Sequence, residues 1–373
     1  MIERPKSRRV AQVPTASAEA PGSLRSLGVG IVGAGPVTQA IHLPTLAKLG
    51  DRFRVTHVMD VSLTLAEQIG RRAGAAWSDS LEDLLADPSV DVVAICSPPE
   101  YHASQVIAAC RAGKRAVLCE KPFALSIDDV NDALSASASF DVPLLVGAMH
   151  SFDSAWLAAR AAWTESGSVA HTIRSSIVLP PNARFEDLAT EVVGRPPLQM
   201  DPDSAPSASP AELLRDAVLG VAVHDLPLIR TFLNDSDAVR VLAASFEPPF
   251  GYLIVLGDGA TTIELRAAFT DTWTPDWRLD VFSDDVALSL SFPPSYVQAG
   301  SSVAKISSPA GVEVFGPWPA NGYQDEWEHV ADLAEGVTAT QSLDMIGGDI
   351  VFALRIANEA AALVDAPRLV VTS

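Results

Sequence analysis

The feature that most constrains the fold is a regular alternation of short apolar runs with helical patterns between residues 27 and 148. Nearly continuous apolar runs are typical of strands buried on both faces, and strands that alternate with helices are typical of a parallel sheet covered on both sides. We therefore predict a doubly wound α/β domain over residues 27–148. The predicted strands cover 28–32, 54–59, 90–96, 116–119 and 143–148, and the predicted helices cover 39–49, 63–73, 81–85, 102–112 and 127–138.

The pattern changes after residue 148, and we predict a second α/β domain over residues 149–373. Alternation with period two, interrupted by short turn sequences, indicates antiparallel strands with one buried face. Residues 1–26 are rich in Pro, Ser, Ala and Arg and are interpreted as a flexible tail. The predicted elements of the second domain are a loop at 180–210, a helix at 211–233, strands at 263–269 and 286–292, hairpin turns at 257–259 and 283–285, and helices at 324–335 and 348–363.

The composition excludes several classes of partner. A net charge of −20 argues against nucleic acid and anionic membranes, because phosphate-rich surfaces repel an acidic protein. No run of 18 apolar residues is present, so no membrane span is predicted. Cys96, Cys110 and Cys119 show no CxxC spacing and are interpreted as core thiols in a reducing compartment. The same cysteine spacing predicts no metal site. We also expect a cytoplasmic protein, since Arg8-Arg9 is not followed by the apolar region of an export signal.

A glycine turn follows the first predicted strand, in the sequence Gly33-Ala34-Gly35-Pro36-Val37-Thr38. Gly33 suits the tight turn, and Gly35 lets the backbone approach a pyrophosphate. Pro36 and Val37 open the next helix, whose amino terminus favours the phosphate charge. The pattern is G-x-G-x-x-G with Thr38 in the last place, and in its strand–turn–helix context it predicts dinucleotide binding.

Asp60 closes the second predicted strand, 22 residues after Thr38. A carboxylate at this place accepts hydrogen bonds from ribose hydroxyls and repels a 2′-phosphate. Val61 and Ser62 follow, rather than an arginine. The sequence therefore favours NAD over NADP, with a merely turn-forming aspartate as the alternative.

Ser97, Pro98 and His102 follow the strand predicted at 90–96, at the edge of the sheet where open α/β folds bind ligands. Backbone groups and the Ser97 hydroxyl are placed to border the cofactor's nicotinamide ribose. His102 has two interpretations, a cofactor contact or a residue that caps the following helix.

Glu120, Lys121 and Pro122 end the next strand at the same edge. Pro122 restricts Lys121 to extended geometry, which directs its side chain out of the strand. Oxidation of a secondary alcohol removes a hydride from carbon and a proton from oxygen, and a lysine near that oxygen can hold the hydroxyl and stabilise the developing charge. The alternative is a surface ion pair between Glu120 and Lys121, which is disfavoured because adjacent strand residues point to opposite faces.

His224 lies within the apolar helical run predicted at 211–233. Histidine is the natural proton acceptor near neutral pH. A single histidine on a helix is more often structural, so both interpretations stay open from the pattern alone.

With these residues in view, the chain resembles the glucose–fructose oxidoreductase/inositol dehydrogenase (Gfo/Idh/MocA) family. The matching segments are 29–35 with His42-Leu43-Pro44, 91–102, 109–114 leading into Glu120-Lys121-Pro122, and Gly322-Tyr323-Gln324-Asp325-Glu326-Trp327. The resemblance implies a Rossmann domain followed by an α/β domain with a large open, mainly antiparallel sheet that often forms oligomer contacts. It also implies NAD(P)-linked oxidation or reduction of sugars, inositols or polyols, and a homodimer or homotetramer.

The resemblance assigns Lys121 and His224 as catalytic residues, and it leaves His150 and Tyr323 as further polar groups that could line the same cleft. Two departures stand out. Gly220 takes the place, four residues before His224, where the family usually has aspartate, and Ser151 takes the place of a frequent arginine. The usual Lys–Asp–His trio is therefore incomplete.

Three functions follow as hypotheses. The first is an NAD-dependent oxidoreductase that acts on a secondary hydroxyl or carbonyl of a sugar, polyol or glycoside-like substrate. The second is a redox-assisted glycoside-cleaving enzyme that keeps its NAD tightly bound and catalyses no net redox change. The third is a catalytically silent dinucleotide-binding sensor or partner protein, which the departures at Gly220 and Ser151 favour and which the retained Lys121 and His224 disfavour.

Overall fold

Two β-sheets organise the protein, one parallel and one mainly antiparallel. The computed structural model describes residues 26–195, 208–272, 274–337 and 341–365. The tail predicted at 1–26 lies outside these residues except for residue 26. Of the loop predicted at 180–210, residues 196–207 lie outside them. Within them, no helix is long and apolar enough to span a membrane.

The first sheet has six parallel strands in the order β3-β2-β1-β4-β5-β6, which confirms the doubly wound prediction. The strands β1, β4 and β5 are buried along their whole length, which explains their nearly continuous apolar sequences. The strand β3 was not predicted because it has only three residues. The strands are β1 (Leu27–Val32), β2 (Phe53–Met59), β3 (Ala76–Ser78), β4 (Val92–Ile95), β5 (Ala116–Glu120) and β6 (Leu144–Gly147).

Helices connect these strands and pack against the first sheet. A π-helical turn, Thr38–His42, leads into the first α-helix. The α-helices are α1 (Leu43–Lys48), α2 (Leu63–Ala73), α3 (Leu81–Ala86), α4 (His102–Arg111) and α5 (Ile127–Phe140). Because parallel strands place their carboxyl ends at one edge, the segments after β1, β4 and β5 meet there. This geometry gathers the glycine turn, Ser97 and Lys121.

The second sheet has eight strands in the order β14-β13-β12-β11-β7-β10-β9-β8. Seven strand pairs exist, and all are antiparallel except the interior pair β7–β10, which is parallel. Both predicted hairpins, at 257–259 and 283–285, are present. The strands are β7 (Thr172–Leu179), β8 (Arg240–Glu247), β9 (Gly251–Gly257), β10 (Thr262–Phe269), β11 (Asp276–Phe282), β12 (Ala287–Ser291), β13 (Val303–Ser308) and β14 (Gly311–Phe315). The fold class is thus α/β, as predicted.

Helices between β6 and β8 border the space between the sheets. They are α6 (Met149–Phe152), α7 (Ser154–Ser166), α8 (Ala183–Ala189), α9 (Pro210–Gly220) and α10 (Leu226–Arg230). The loop prediction for 180–210 was wrong at α8, whose short apolar pattern is hidden among the surrounding prolines.

The single helix predicted at 211–233 was also wrong, because the chain breaks after Gly220 into the 3₁₀ turn Ala222–His224. Pro227 is a physical reason for the break. It has no N–H to donate to the carbonyl of residue 223, so α9 cannot continue through it. The break frees the carbonyl of Gly220, which matters for the site below.

Two terminal helices close the fold, α11 (Gly322–Ala334) and α12 (Leu343–Asp365). The α11 helix begins two residues and ends one residue before its predicted bounds, whereas α12 extends beyond its predicted bounds at both ends. The α11 helix returns to the first sheet, where Trp327 packs edge-on against Phe53 with ring centroids 5.1 Å apart. Cys110 and Cys119 are buried as predicted, whereas Cys96 at the end of β4 is only partly buried.

Candidate active site

A cavity of about 650 Å³ lies where the carboxyl edge of the first sheet faces the second sheet. Six of the residues selected from the sequence line it: Pro36, Val37, Glu120, Lys121, His224 and Tyr323. Seven others do not line it: Gly33, Gly35, Asp60, Ser97, Pro98, His102 and His150. The structure therefore brings together the two residues proposed as catalytic and the start of the helix that follows the glycine turn.

Lys121 directs its ammonium across the cavity to the other half of the protein. Its Nζ donates a hydrogen bond to the carbonyl oxygen of Gly220 at 3.1 Å. Gly220 is the last residue of α9, and terminal helix carbonyls carry partial negative charge and have no helical partner. Burial lowers the pKa of Lys121, and the nearby charge of Glu120 opposes this shift only in part.

This contact changes the meaning of Gly220. A glycine side chain cannot replace the family's aspartate, but its backbone carbonyl holds the lysine directly. A neutral carbonyl favours the charged form of an amine less than a carboxylate does. Lys121 is therefore held in place without the aspartate, and its pKa is lower than that of a lysine paired with a carboxylate.

Glu120 belongs to a buried chain of hydrogen bonds. Trp327 Nε1 donates to His42 Nδ1 at 3.1 Å, so His42 Nε2 carries the proton and donates to Glu120 Oε1 at 3.0 Å. The other oxygen of Glu120 accepts from the backbone N–H of Lys121 at 3.0 Å. Burial raises the pKa of Glu120, but His42 and Lys121 outweigh it and the pKa lies below its usual value. Glu120 is thus a fixed anion beneath Lys121. A surface ion pair between the two is not formed, because Glu120 is buried and the half-buried Lys121 directs its ammonium to Gly220.

His224 lies in the 3₁₀ turn after α9, with only 5% of its surface exposed. Among the described residues, its Nδ1 atom has no hydrogen-bond partner. Burial, followed by the charges of Lys121 and His150, holds the pKa of His224 well below its usual value. The imidazole is therefore neutral at neutral pH and can accept a proton from a group bound in the cavity.

Asp225, the next residue in the chain, organises the residues behind His224. Its buried carboxylate accepts hydrogen bonds from Ser175 Oγ at 2.6 Å and Trp277 Nε1 at 3.0 Å. It also lies 3.2 Å from His150 Nδ1. The position of Asp225 next to a candidate histidine was visible in the sequence, but its true partner, His150, is 75 residues away in the chain.

His150 supports the site from behind, rather than facing the cavity. Its ring stacks on Phe292 with centroids 3.8 Å apart and lies 5.6 Å from the ring of His224. Trp277 contacts both histidine rings edge-on. The arrangement fixes the orientation of the His224 turn through packed rings.

The glycine turn has the geometry that a dinucleotide needs. Gly33 has φ +95°, and a Cβ there would lie 2.7 Å from the carbonyl oxygen of Cys96, so only glycine fits. Around Gly35, a Cβ would meet nothing within 4 Å. The space in front of Gly35 is therefore open for a pyrophosphate to approach the backbone, and the residues present fit this group.

Asp60 both supports the turn and remains available to a ligand. Its Oδ2 accepts from the backbone N–H of Ala34 at 2.8 Å, and its Oδ1 accepts from that of Ser62 at 2.9 Å. A carboxylate oxygen can accept more than one hydrogen bond, so lone pairs remain for ribose hydroxyls. The two interpretations of Asp60 from the sequence are thus compatible.

Ser97 and His102 are occupied by contacts within the protein. Ser97 Oγ donates to Gln105 Oε1 at 2.6 Å. His102, which is 1% exposed, places its Nε2 at 2.7 Å from the carbonyl oxygen of Ser97 and its Nδ1 at 3.0 Å from that of Pro122. His102 therefore ties together the loops after β4 and β5, and it forms no side-chain cap of α4. Pro98 precedes the 3₁₀ turn Pro99–Tyr101 and contributes to the shape of the same loop.

A segment that the sequence analysis missed crosses the helix after the glycine turn. We call residues 190–195 the strap. The Gln39 side chain donates to the carbonyl of Val193 at 2.9 Å and accepts from the backbone N–H of Val193 at 3.0 Å. Arg195, at the end of the strap, lines the cavity and pairs with Glu186 at 2.9 Å and Asp187 at 2.7 Å. Only the isolated arginine within a proline-rich stretch could have indicated this element.

No group of three or more His, Cys, Asp or Glu side chains is arranged to hold a metal ion in the part of the chain that the structure describes.

Comparison with known proteins supports the fold and the family. Inositol 2-dehydrogenase of Mycolicibacterium smegmatis is 36% identical over 130 residues, which cover 34% of this chain and 35% of that protein. The 1,5-anhydro-D-fructose reductase of Ensifer adhaerens is 27% identical over 220 residues, covering 57% of this chain and 58% of that protein. The aligned segments thus span about a third to three fifths of these relatives.

Among solved structures, KijD10, a 3-ketoreductase from Actinomadura kijaniata in complex with NADP and TDP-benzene, superposes with a TM-score of 0.68 at 15% identity. The superposition covers 91% of this chain and 98% of that one, so the likeness of fold includes both sheets. Residues 27–148 match the family described as an oxidoreductase family with an NAD-binding Rossmann fold. Over these residues, the chain is similar to the Gfo/Idh/MocA oxidoreductases.

Proposed function

We propose that the protein is an NAD-dependent oxidoreductase that acts on a secondary hydroxyl or carbonyl of a sugar, polyol or glycoside-like substrate. The observation that carries the proposal is the joint placement of Lys121 and His224 in one cavity, beside the helix that follows the glycine turn. The names of the relatives support a carbohydrate or polyol as the substrate class.

The chemistry follows from the states of the two side chains. Lys121 donates a hydrogen bond to the substrate oxygen and stabilises negative charge that develops on it. His224, neutral because of its lowered pKa, accepts the hydroxyl proton during oxidation and returns it during reduction. Glu120 keeps an anion near Lys121 and favours its charged form. A nicotinamide dinucleotide supplies the hydride acceptor or donor when it is bound.

We propose Gly33, Gly35, Pro36, Val37 and Asp60 as the residues that hold the cofactor. Asp60 supports a preference for NAD, because its carboxylate repels the 2′-phosphate of NADP. Titration of the protein with both cofactors tests this preference. Tighter binding of NADP than of NAD would contradict it, and Asp60→Ser is expected to narrow the difference between the two affinities.

The test of the proposed function is turnover of a panel of sugars and polyols with NAD and of keto-sugars with NADH. Wild-type protein is compared with Lys121→Ala, and Lys305→Ala on an exposed position of β13 serves as the control. We expect turnover in wild type and in the control, and loss of about 10²- to 10⁴-fold in Lys121→Ala with cofactor binding retained. Equal turnover by wild type and Lys121→Ala would overturn the assignment. Cofactor binding without turnover across the panel would favour the sensor hypothesis.

The strap favours a second candidate function, redox-assisted glycoside cleavage with a retained cofactor. Its two hydrogen bonds to Gln39 hold a segment across the helix next to the cofactor turn. Such a cover slows the release of a bound dinucleotide. Denaturation of the purified protein, followed by mass analysis of the supernatant, measures co-purified cofactor. Stoichiometric NAD together with cleavage of glycosides, without net NADH formation, would establish this function over the dehydrogenase.

We also propose that the protein assembles as a homodimer or homotetramer through its second sheet. Several aliphatic side chains on the strands of this sheet are exposed, which is unfavourable in a monomer. They are Leu242, Leu253, Val303, Val312 and Val314. Light scattering coupled to gel filtration measures the mass, and a monomer at micromolar concentration would contradict the proposal.

A further inference from the structure

The wall of the cavity formed by the second sheet is apolar. Four side chains there, Leu179, Phe250, Phe269 and Trp277, form what we call the apolar alcove. Leu179 ends β7, Phe250 precedes β9, Phe269 ends β10 and Trp277 begins β11. The rings of Phe250 and Phe269 meet edge to face with centroids 5.9 Å apart. Three strands and the turn between β8 and β9 therefore contribute to one hydrophobic surface.

The alcove begins next to the candidate catalytic lysine. A Cβ built on Gly220 would lie 3.9 Å from two ring carbons of Phe250, and the Gly220 carbonyl oxygen lies 3.1 Å from Lys121 Nζ. Gly220 thus separates the ammonium from the phenylalanine ring by a single residue. A substrate whose oxygen binds Lys121 can consequently reach Phe250 with the part of the molecule that extends past Gly220.

The four side chains of the apolar alcove provide no free hydrogen-bond partner for a hydroxyl group. Its one polar side-chain atom, Trp277 Nε1, already donates to the carboxylate of Asp225 at 3.0 Å. A sugar hydroxyl placed there would lose its water without gaining a partner, which is unfavourable. An apolar ring would gain buried contact with the aromatic side chains.

We propose that the substrate carries an apolar ring close to the reacting hydroxyl, as an aryl glycoside does, and that the apolar alcove binds this ring. The proposal rests on the proposed function for the position of the sugar, and it narrows the substrate class from free polyols to glycosides with an apolar aglycone. The polar residues Lys121, His224 and Tyr323 then contact the sugar, and Phe250 and Phe269 contact the aglycone.

A bound nicotinamide ring would be the other flat group in the cavity, and the glycine turn would direct it to a different wall. Pro36, Val37 and Gly147 line the wall that belongs to the first sheet, where the glycine turn directs the cofactor. The alcove residues all belong to the second sheet. The two rings are thus expected on opposite walls with the sugar between them.

The experiment compares phenyl with methyl glycosides of the same set of hexoses. Binding to the NAD-saturated protein is measured by calorimetry or ligand-observed NMR, and turnover is followed separately as NADH formation. Three proteins are used: wild type, Phe250→Ala and Phe282→Ala. Phe282 lies at the end of β11 with its ring 5.7 Å from Arg174 Cζ, outside the cavity, so it is a control for loss of an aromatic ring from the same sheet.

We expect wild type and Phe282→Ala to bind the phenyl form of at least one hexose roughly 10- to 100-fold more tightly than its methyl form. Phe250→Ala is expected to lose most of this preference, and Phe269→Ala provides a second variant if Phe250→Ala fails to fold. Equal affinity for phenyl and methyl forms, a preference that survives in Phe250→Ala and Phe269→Ala, or no binding of any phenyl glycoside would overturn the inference.

The outcomes separate this inference from the proposed function. A phenyl preference without NADH formation leaves the alcove in place and contradicts the dehydrogenase. Turnover of methyl glycosides or free sugars without a phenyl preference supports the dehydrogenase and overturns the alcove. A change in NAD affinity in Phe250→Ala, with no change in phenyl preference, would place the cofactor ring in the alcove and would also overturn the inference.

Discussion

The two walls of the cavity differ in how their residues are brought together. The wall from the first sheet consists of segments that directly follow parallel strands, such as the glycine turn and Glu120-Lys121. The wall from the second sheet is assembled from residues between 179 and 296 that share no short motif. The first wall is determined by local sequence and sheet topology, whereas the second depends on the whole tertiary fold.

The contact between Lys121 and Gly220 joins the two walls. Its two partners differ in how well they could be predicted from the sequence. The lysine was identifiable from its strand and from the following proline. Its partner is a backbone carbonyl, which exists only because α9 ends at Gly220. The absence of a side chain from a motif therefore does not prove that the contact is absent, because a backbone group can make it.

The largest effect is expected from a change in the first wall, Gly35→Val. A Cβ at Gly35 meets no protein atom within 4 Å, so the substitution is expected to leave folding intact but to occupy the approach to the pyrophosphate. We expect NAD affinity to fall by roughly 100-fold or more, since the cofactor's charged group loses its close backbone contacts. Fluorescence titration with NADH measures the loss.

Gly50→Ala, placed on an exposed turn with its nearest neighbour at 3.5 Å, is the control for this substitution and should bind normally. Unchanged NADH affinity in Gly35→Val would show that the cofactor does not use this turn.

His224→Gln tests the second wall and is expected to have the next largest effect. Glutamine keeps polarity at the position but cannot accept and return a proton in this pH range. We expect kcat to fall about 100-fold, with cofactor affinity unchanged. The comparison variant is His171→Gln, because His171 is exposed and contacts Thr172 away from the cavity. Similar rates for the two variants would make His224 a structural residue.

Gly220→Asp tests the contact between Lys121 and Gly220 through the pH dependence of kcat/KM. Burial lowers the pKa of Lys121, and a carboxylate at position 220 favours the ammonium and raises this pKa again. If the ammonium form is active, the rate falls at high pH as Lys121 loses its proton, and the fall should begin at higher pH in the variant. A Cβ at position 220 lies 3.9 Å from two ring carbons of Phe250, which is an ordinary van der Waals distance and causes no clash. Profiles of kcat/KM against pH that coincide on the alkaline side would contradict the role of Lys121 as a charged donor.

The smallest effect is expected at Trp327, which anchors α11 beneath the first wall. Trp327→Phe removes the donor to His42 Nδ1 and leaves that buried atom unpaired, at a cost of about 1–3 kcal/mol in the free energy of unfolding. Trp163→Phe removes a similar ring that packs edge-on against Phe232, and it controls for lost volume. Denaturant titration compares the two, and equal destabilisation would mean that the hydrogen bond to His42 contributes little.

These contrasts explain which parts of the fold and of the candidate site could be predicted from the sequence. The parallel sheet, the glycine turn and the position of Lys121 were predictable because apolar strands and their carboxyl ends follow from local pattern and topology. The break after Gly220 was not, since the apolar period continues through it and only Pro227 signals an interruption. The partners of Asp225 and the strap on Gln39 join residues 50 to 154 positions apart, and no local pattern encodes such pairings.

The most direct test of the account is a crystal structure of the protein with NAD and a bound substrate or unreactive analogue. The account predicts that Lys121 Nζ lies within about 2.6–3.2 Å of the oxygen on the carbon that faces the nicotinamide, with the His224 ring within reach of the same oxygen. A complex in which Lys121 contacts only Gly220, and the substrate oxygen is bound by other residues, would contradict the central claim.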